Sequence, residues 1–349
     1  MKCGVAGATG YLGAELLRLL AGHAELEVAL VQGDSTAGQQ LTDALPSLAA
    51  EPAYQGLVVE ALDPGDLESL DVVFVALPSG TSQEAVAALT GRVRLVVDLG
   101  ADFRLKDPRL YPIWYGWEHS RPELLEEAVY GLPELFKAEL AGARLVAAPG
   151  CYVTAASMAL APLVREGLVE AAGIIVDAAS GTSGAGKQPA ANLHHPYANE
   201  RFAPYGLLNH RHTPEMEQVI GGTVLFTPHL APMTRGILAT CYARSARAPA
   251  RSGGPAGASA ALVEYLGDFY RDAPFVRVAG AGELVSTADC YGSNVVHLTA
   301  RVDDRTGWTV VLAALDNLVK GGAGQAVQAA NVALGLPETS GLPLVGLTP

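Results

Sequence analysis

Cys151 follows Ala148-Pro149-Gly150 and precedes Tyr152-Val153-Thr154, where an apolar run, Arg144 to Ala148, stops at a Pro-Gly turn and a helix-forming segment begins. Unpaired amides and the positive dipole end at a helix N-terminus favour a thiolate, so a cysteine placed there is a candidate nucleophile. A buried cysteine otherwise packs as a small apolar residue. The position after a strand favours chemistry, because open α/β sheets bind ligands at the carboxyl ends of their strands.

A second group is His210-x-His212-x-x-Glu215. Two imidazoles on an extended segment with a carboxylate can converge on a metal. Alternatively, one imidazole is the acid/base of a nucleophile and Glu215, on the first turn of the next helix, orients it. No further ligand set is evident, and no metal is expected. His194 and His195 lie upstream, and solvated surface histidines are the remaining alternative for the group.

The third group is Gly7-Ala8-Thr9-Gly10-Tyr11-Leu12-Gly13. Gly7 suits a tight turn, and Gly10 and Gly13 let backbone approach phosphate and helix approach strand; the helix amides then receive a pyrophosphate. Asp34, 21 residues after Gly13, is where an acidic side chain holds the ribose of NAD and repels the extra phosphate of NADP. Ser35 and Thr36 offer hydroxyls and turn amides that serve NADP if Asp34 turns away, as a turn aspartate does when it bonds its own backbone. Gly181 to Lys187 matches the first seven positions of a phosphate-binding GxxxxGK loop. Gln188 and Pro189 then stand where a magnesium-binding hydroxyl and a helix are needed, so a flexible turn lining a pocket is expected instead.

The elements that must position these groups follow from periodicity. Lys2 to Ala6 is a strand; Leu12, Leu16, Leu19 and Leu20 mark a helix ending at Gly22. Strands at Glu27–Val31, Asp71–Leu77 and Arg94–Leu99, with a helix at Ser82–Leu89, continue a doubly wound parallel sheet that Arg144–Ala148 closes. Between them Asp102 and Arg104 read as a buried structural pair, followed by an irregular stretch with Tyr111, Trp114, Tyr115 and Trp117. Past Cys151 a helix pattern runs to Leu163, and Pro162 inside it predicts a kink. A buried strand, Gly173–Ala179, leads into the Ser180–Gln188 loop. The remainder reads as antiparallel strands at Thr223–Leu230, Ile237–Arg244, Asn294–Val302 and Thr309–Leu315, with Arg235 in a turn. A helix is expected at Ala258–Tyr270 after a Gly/Pro/Arg-rich exposed loop, 247–257, and a final helix from Asp316. The fold class is therefore α/β: a Rossmann-type doubly wound parallel-sheet domain plus an α+β domain with a mainly antiparallel sheet.

Composition bounds the function. The chain has 349 residues, 50% of them hydrophobic, enough for two domains. Its formal net charge of −13 disfavours nucleic acid and acidic membrane surfaces. An N-terminus without a secretory pattern, and no apolar run of about 18 residues, point to the cytoplasm and to no membrane partner. The four cysteines, Cys3, Cys151, Cys241 and Cys290, form no paired CxxC, so neither a disulfide framework nor a zinc knuckle is expected.

With GATGYLG, LGADFRL, YGLPEL, APGCYVTA, SGTSGAGK, HRHTPE, TRGIL and DNLVKGGAGQAVQ in this order, the chain resembles the N-acetyl-γ-glutamyl-phosphate reductase family of arginine biosynthesis over nearly its whole length. The resemblance implies NADPH-dependent reduction of N-acetyl-glutamyl phosphate to the semialdehyde plus phosphate. It implies Cys151 as nucleophile, His212 as acid/base with His210 close by, and a cofactor surrounded by Gly7 to Gly13, Leu77, Pro78, Ser183, Gly184 and Asn317. It also implies that the final helix folds back onto the nucleotide domain, giving 1–150 with 317–349 as the NADP-binding domain. Residues 151–316 are then the catalytic and oligomerisation domain of a homodimer or homotetramer. Ser35 is assigned to the NADP side, with Asp34 turned away. Arg211 and Arg235 are candidates for the anionic groups of the acyl phosphate substrate, since a guanidinium binds carboxylate bidentately. The alternatives are a reductase of carrier-protein-bound aminoadipyl or glutamyl phosphate and a non-catalytic NADP-sensing protein.

Overall fold

The computed structural model describes residues 1–246 and 254–347. Two compact units divide the chain: Met1–Pro149 with Gly322–Leu342, and Gly150–Gly321 with the residues from Pro343 onward. Relative to the expected division, 317–321 and the last residues belong to the second unit.

The first unit holds seven parallel strands: β1 (Lys2–Ala6), β2 (Glu27–Gln32), β3 (Val59–Glu60), β4 (Val72–Val75), β5 (Leu95–Asp98), β6 (Val129–Tyr130) and β7 (Leu145–Ala147), in the order β3-β2-β1-β4-β5-β7-β6. β1 is central, with Val5 paired to Val31 on one side and Phe74 on the other. Covered on both faces, β4 and β5 are buried at every residue, which is why VVFV and LVVD read as continuous runs rather than alternations. The strands β3 and β6, two residues each, are too short to give a periodic signal. The helix Gly324–Leu334 is built into this unit, where Gln325 Nε2 donates to Gly131 O at 2.9 Å and Asn331 Oδ1 meets His23 Nε2 at 2.9 Å.

The second unit has one sheet of seven strands: β8 (Ile174–Ser180), β9 (Ala203–Pro204), β10 (Val224–Leu230), β11 (Ile237–Arg244), β12 (Val276–Val278), β13 (Val296–Asp303) and β14 (Trp308–Leu315), in the order β12-β13-β14-β11-β8-β10-β9. It is mixed rather than simply antiparallel. β10 runs parallel to β8 and β12 parallel to β13. The helix His212–Ile220 supplies the crossover that a parallel β8–β10 pair requires. Along β8 and β11 every second residue is buried, so one face of the sheet is covered and the other is half-exposed. The helix expected at Ala258 begins at Gly254, and 247–253 lie outside the described residues. The final helix is preceded by a π-helical turn, Val319–Ala323, rather than opening at Asp316. Among the described residues no helix is long and apolar enough to cross a membrane.

The helix expected to kink at Pro162 runs unbroken from Cys151 to Arg165. Proline lacks the N–H that would donate to the carbonyl four residues back, and here that carbonyl, on fully buried Met158, accepts the Tyr270 hydroxyl at 2.8 Å. Removing the hydroxyl by Tyr270→Phe leaves a buried acceptor unsatisfied and should cost about 1–3 kcal/mol in denaturant titration. Restoring a backbone donor with Pro162→Ala should reduce that cost in the double variant; equal costs in both backgrounds would show that the hydroxyl does not stand in for the missing N–H.

Candidate active site

In the second unit Cys151 is the first residue of its helix, and Gly150 is the N-cap with extended backbone (φ −69°, ψ 144°) and no side chain to satisfy the first-turn amides. The thiol is half-buried, unlike Cys3, Cys241 and Cys290, which are buried and whose thiols burial pushes up to about 12. Gly150 is enclosed by the other predicted site residues. Its N–H donates to Glu215 Oε1 at 2.9 Å, and a Cβ on it would lie 2.4 Å from His212 Nε2. On the far side, a Cβ on Gly321 would lie 2.8 Å from Cys151 Cβ. Only glycines let the imidazole approach residue 150, and the π-helical turn approach Cys151, this closely.

One bond of Glu215 is to backbone. Fully buried on the first turn of the helix His212–Ile220, it spends one carboxylate oxygen on the backbone that presents Cys151. His212 is buried, while His210 is a turn residue whose Nδ1 accepts the His212 N–H at 3.1 Å. Burial, followed by the Arg211 charge, lowers His210 to about 4, so its ring is neutral at physiological pH. Tyr152 is edge-on to both rings, and Tyr205 and Phe226 are edge-on to His210. Tyr205 donates to the Tyr152 hydroxyl (3.2 Å), which donates to His229 O (3.0 Å). Tyr152 was visible only as a neighbour of Cys151, and Tyr205 carried no sequence signal. His194 and His195 are both exposed. Among the described residues no three histidine, cysteine or acidic side chains are placed to hold a metal ion.

The Ser180–Gln188 loop is pinned at its start and open beyond. Gly181, Thr182 and Ser183 donate backbone N–H groups to Gly236, Met233 and Thr234 carbonyls, and a tight helical turn, Thr182–Ala185, follows. Asn317 joins this loop to the β10–β11 turn, donating Nδ2 to Ser183 Oγ (3.0 Å) and accepting the Gly236 N–H (2.8 Å). Gly184 and Lys187 are exposed. Arg235 lies 3.6 Å from Asp316, whose carboxylate is fully buried and accepts the N–H groups of Gly292, Leu318 and Val319. Arg211 is an exposed N-cap of the His212 helix.

In the first unit the glycine turn is built as a phosphate cradle. Gly7 has φ +84°, and its Cβ would lie 2.3 Å from Ala76 O; a Cβ on Gly13 would lie 2.2 Å from Gly7 O. The helix Tyr11–Leu20 has Gly10 as N-cap, no side-chain cap and no acid in its first turn. Its terminal amides are thus left for an anion, and the site fits a dinucleotide pyrophosphate. Ala8 and Thr9 are buried behind the turn, while Tyr11 is exposed. Thr9 Oγ1 and Thr36 Oγ1 are 2.9 Å apart, tying the turn to the end of β2. Asp34 and Ser35 are exposed there, with Asp34 O accepting the Ala37 N–H at 3.2 Å. Leu77 and Pro78 begin the turn after β4.

Two family descriptions match the chain: "Semialdehyde dehydrogenase, NAD binding domain" over residues 2–143 and "Semialdehyde dehydrogenase, dimerisation domain" over 151–317. A protein from Symbiobacterium thermophilum named N-acetyl-gamma-glutamyl-phosphate reductase is 46% identical over 98% of this chain and 97% of its own. One of the same name from Pelotomaculum thermopropionicum is 47% identical over 100% and 99%. Among solved structures, aspartate semialdehyde dehydrogenase II of Vibrio cholerae, complexed with ASA, shares the fold with a TM-score of 0.69 at 15% identity, over 95% of this chain and 98% of that one. Aspartate semialdehyde dehydrogenase of Candida albicans with NADP superposes with a TM-score of 0.65 at 18% identity, over 95% and 97%.

Gly10→Asp separates folding from binding in the cradle. Aspartate caps a helix at least as well as glycine, so stability should be kept to within about 1 kcal/mol. Its carboxylate occupies the amides and repels a pyrophosphate, so NADPH titration should show binding lost.

Proposed function

The chain belongs to the N-acetyl-gamma-glutamyl-phosphate reductase family, and on that premise we propose that it reduces N-acetyl-L-glutamyl 5-phosphate with NADPH. The products are N-acetyl-L-glutamate 5-semialdehyde and phosphate, a step of arginine biosynthesis. The observation that carries the reading is Cys151 at a helix N-terminus, with the His212 imidazole packed on Gly150.

The helix amides favour the Cys151 thiolate. It attacks the acyl carbonyl; the carbon–sulfur bond forms and phosphate leaves with the carbon–oxygen electron pair, giving a thioester on Cys151. Bound NADPH supplies the hydride that a thioester accepts and a carboxylate would not. His212 protonates the developing oxyanion, then takes the proton back as the carbon–sulfur bond breaks and the aldehyde leaves. His210, neutral and bonded to the His212 backbone, holds the acid/base in place, and Glu215 holds the turn of Cys151. Arg211 and Arg235 are assigned to the anionic groups of the substrate. Gly7 to Gly13, Ser35, Leu77, Pro78, Ser183, Gly184 and Asn317 are assigned to NADP.

In this reading the first unit binds the nucleotide, and the second performs catalysis and builds a homodimer or homotetramer in the cytoplasm. The half-exposed face of its sheet supports the assembly: Leu225, Ile175, Tyr242 and Val310 form an apolar row across four strands.

The reverse assay, with semialdehyde, phosphate and NADP, tests the activity, and an aminoadipyl semialdehyde control tests chain length. Cys151→Ser should abolish turnover and keep NADPH binding; activity within about tenfold of wild type would sink the thioester. His212→Asn should slow turnover by about 100-fold or more; a larger loss in His210→Asn would exchange the two roles. Asp34→Asn should change the NADP Michaelis constant by less than about fivefold. A wild-type enzyme that prefers NAD, with a variant that gains NADP use by more than this, would show Asp34 facing the ribose.

A further inference from the structure

The strand order β3-β2-β1-β4-β5-β7-β6 reverses its direction of growth between β1 and β4, and ligands of such sheets sit in the crevice at that reversal. Two turns flank it, the glycine turn after β1 and Leu77–Ser82 after β4. They are in contact, as the 2.3 Å approach to Ala76 O at Gly7 requires. Within the second turn, the N–H and hydroxyl of Thr81 both reach Pro78 O, and Gly80 has φ +87°.

The rest of its support comes from Asp102. This fully buried carboxylate accepts the Gly80 N–H at 2.7 Å on one oxygen, and the Ser82 N–H at 3.1 Å and Ser82 hydroxyl at 2.9 Å on the other. Asp102 is itself fixed. His119 donates Nε2–H to its carbonyl at 2.7 Å, because its Nδ1 accepts the Arg121 N–H at 3.0 Å. Arg104 spans the carbonyls of Leu99 and Ala148 at 3.0 and 2.7 Å, so the expected Asp102–Arg104 couple consists of two residues that each brace backbone.

Beside Asp102 lies Asp98, also fully buried, whose Oδ1 accepts the Gly100 N–H at 3.0 Å and whose Oδ2 receives no donor. Burial, with the Asp102 charge next, pushes Asp98 up to about 7. An ionised carboxylate at such depth is costly unless fully bonded. Asp102 has the donors, and its charge makes them stronger than a neutral acceptor would.

We propose that Asp102 is a positioning residue of the cofactor crevice, its buried carboxylate holding the Leu77–Ser82 turn as one wall of the space that receives the dinucleotide. The inference rests on the nucleotide-binding reading of that crevice.

Asp102→Asn preserves shape but turns an amide nitrogen toward the Gly80 or Ser82 N–H. NADPH affinity, measured by fluorescence titration, should fall by about tenfold or more, while kcat at saturating NADPH stays within about threefold. A merely structural role would lower the melting temperature and leave the affinity of the folded protein unchanged. Asp98→Asn alters a carboxyl that accepts the Gly100 N–H, outside the Leu77–Ser82 turn, and should leave NADPH affinity within about threefold. Asp102→Asn binding NADPH within that margin, while folded, overturns the proposal. If that variant does not fold, Ser82→Ala decides: a fall in affinity of about two- to tenfold supports it and unchanged affinity overturns it. Loss of binding in Gly10→Asp with none in Asp102→Asn sinks the positioning role alone. Unimpaired binding in Gly10→Asp removes the crevice reading and the proposal with it.

Discussion

The second unit depends on the hydrogen bond from Gly150 N–H to the buried Glu215 carboxylate. It fixes two chain segments separated by 65 residues, the turn that presents Cys151 and the first turn of the helix that presents His212. Out of water such a bond is stronger than in it. The bond is possible because residue 150 has no side chain: the volume a Cβ would fill belongs to the imidazole. Cys151 and His212, the proposed nucleophile and acid/base, are thus tied together through one buried side chain and a backbone N–H.

The same device recurs wherever a loop must hold its shape at a strand end. Asp316 gathers three backbone N–H groups beside Arg235, Asn317 bridges Ser183 to Gly236, and Asp102 gathers the turn after β4. Each is a buried polar side chain that accepts at least one backbone N–H, since burial demands that polar groups be bonded. Each stands at a carboxyl edge, where irregular backbone would otherwise leave donors unmatched. The candidate site elements are therefore loops braced by interior acids and amides, on sheets whose strands supply the hydrophobic burial.

The first unit, the placing of Cys151 and the phosphate cradle were legible in the sequence because each is local. Seven residues contain the glycine turn, and buried parallel strands announce themselves as apolar runs. The Pro-Gly turn announces the start of the Cys151 helix. Chemistry-bearing residue types also narrowed the histidines to one short motif. What pattern misjudged was nonlocal. Pro162 predicted a kink because the sequence does not reveal that Tyr270, 108 residues on, brings a hydroxyl to the Met158 carbonyl. The second sheet is mainly antiparallel as expected, and only its two parallel pairs, β8–β10 and β12–β13, escaped the pattern, because alternation reports which face is buried and is silent on which neighbour pairs.

Residue order by itself determined which elements form, that a thiol opens a helix after a strand, and that a helix N-terminus was left uncapped for phosphate. Only tertiary structure decided how the acids and imidazoles divide their work. Glu215 reads as a partner for histidine when its neighbours in sequence are counted, and the fold adds that its Oε1 holds Gly150. His210 and His212 look equivalent two residues apart, and packing separates them: His210 gives its Nδ1 to a backbone N–H and stays neutral in an aromatic shell, while His212 lies against Gly150, next to Cys151 in the chain. Hydrogen-bond partnership and desolvation are properties of what surrounds a side chain in space, and the chain order does not contain them.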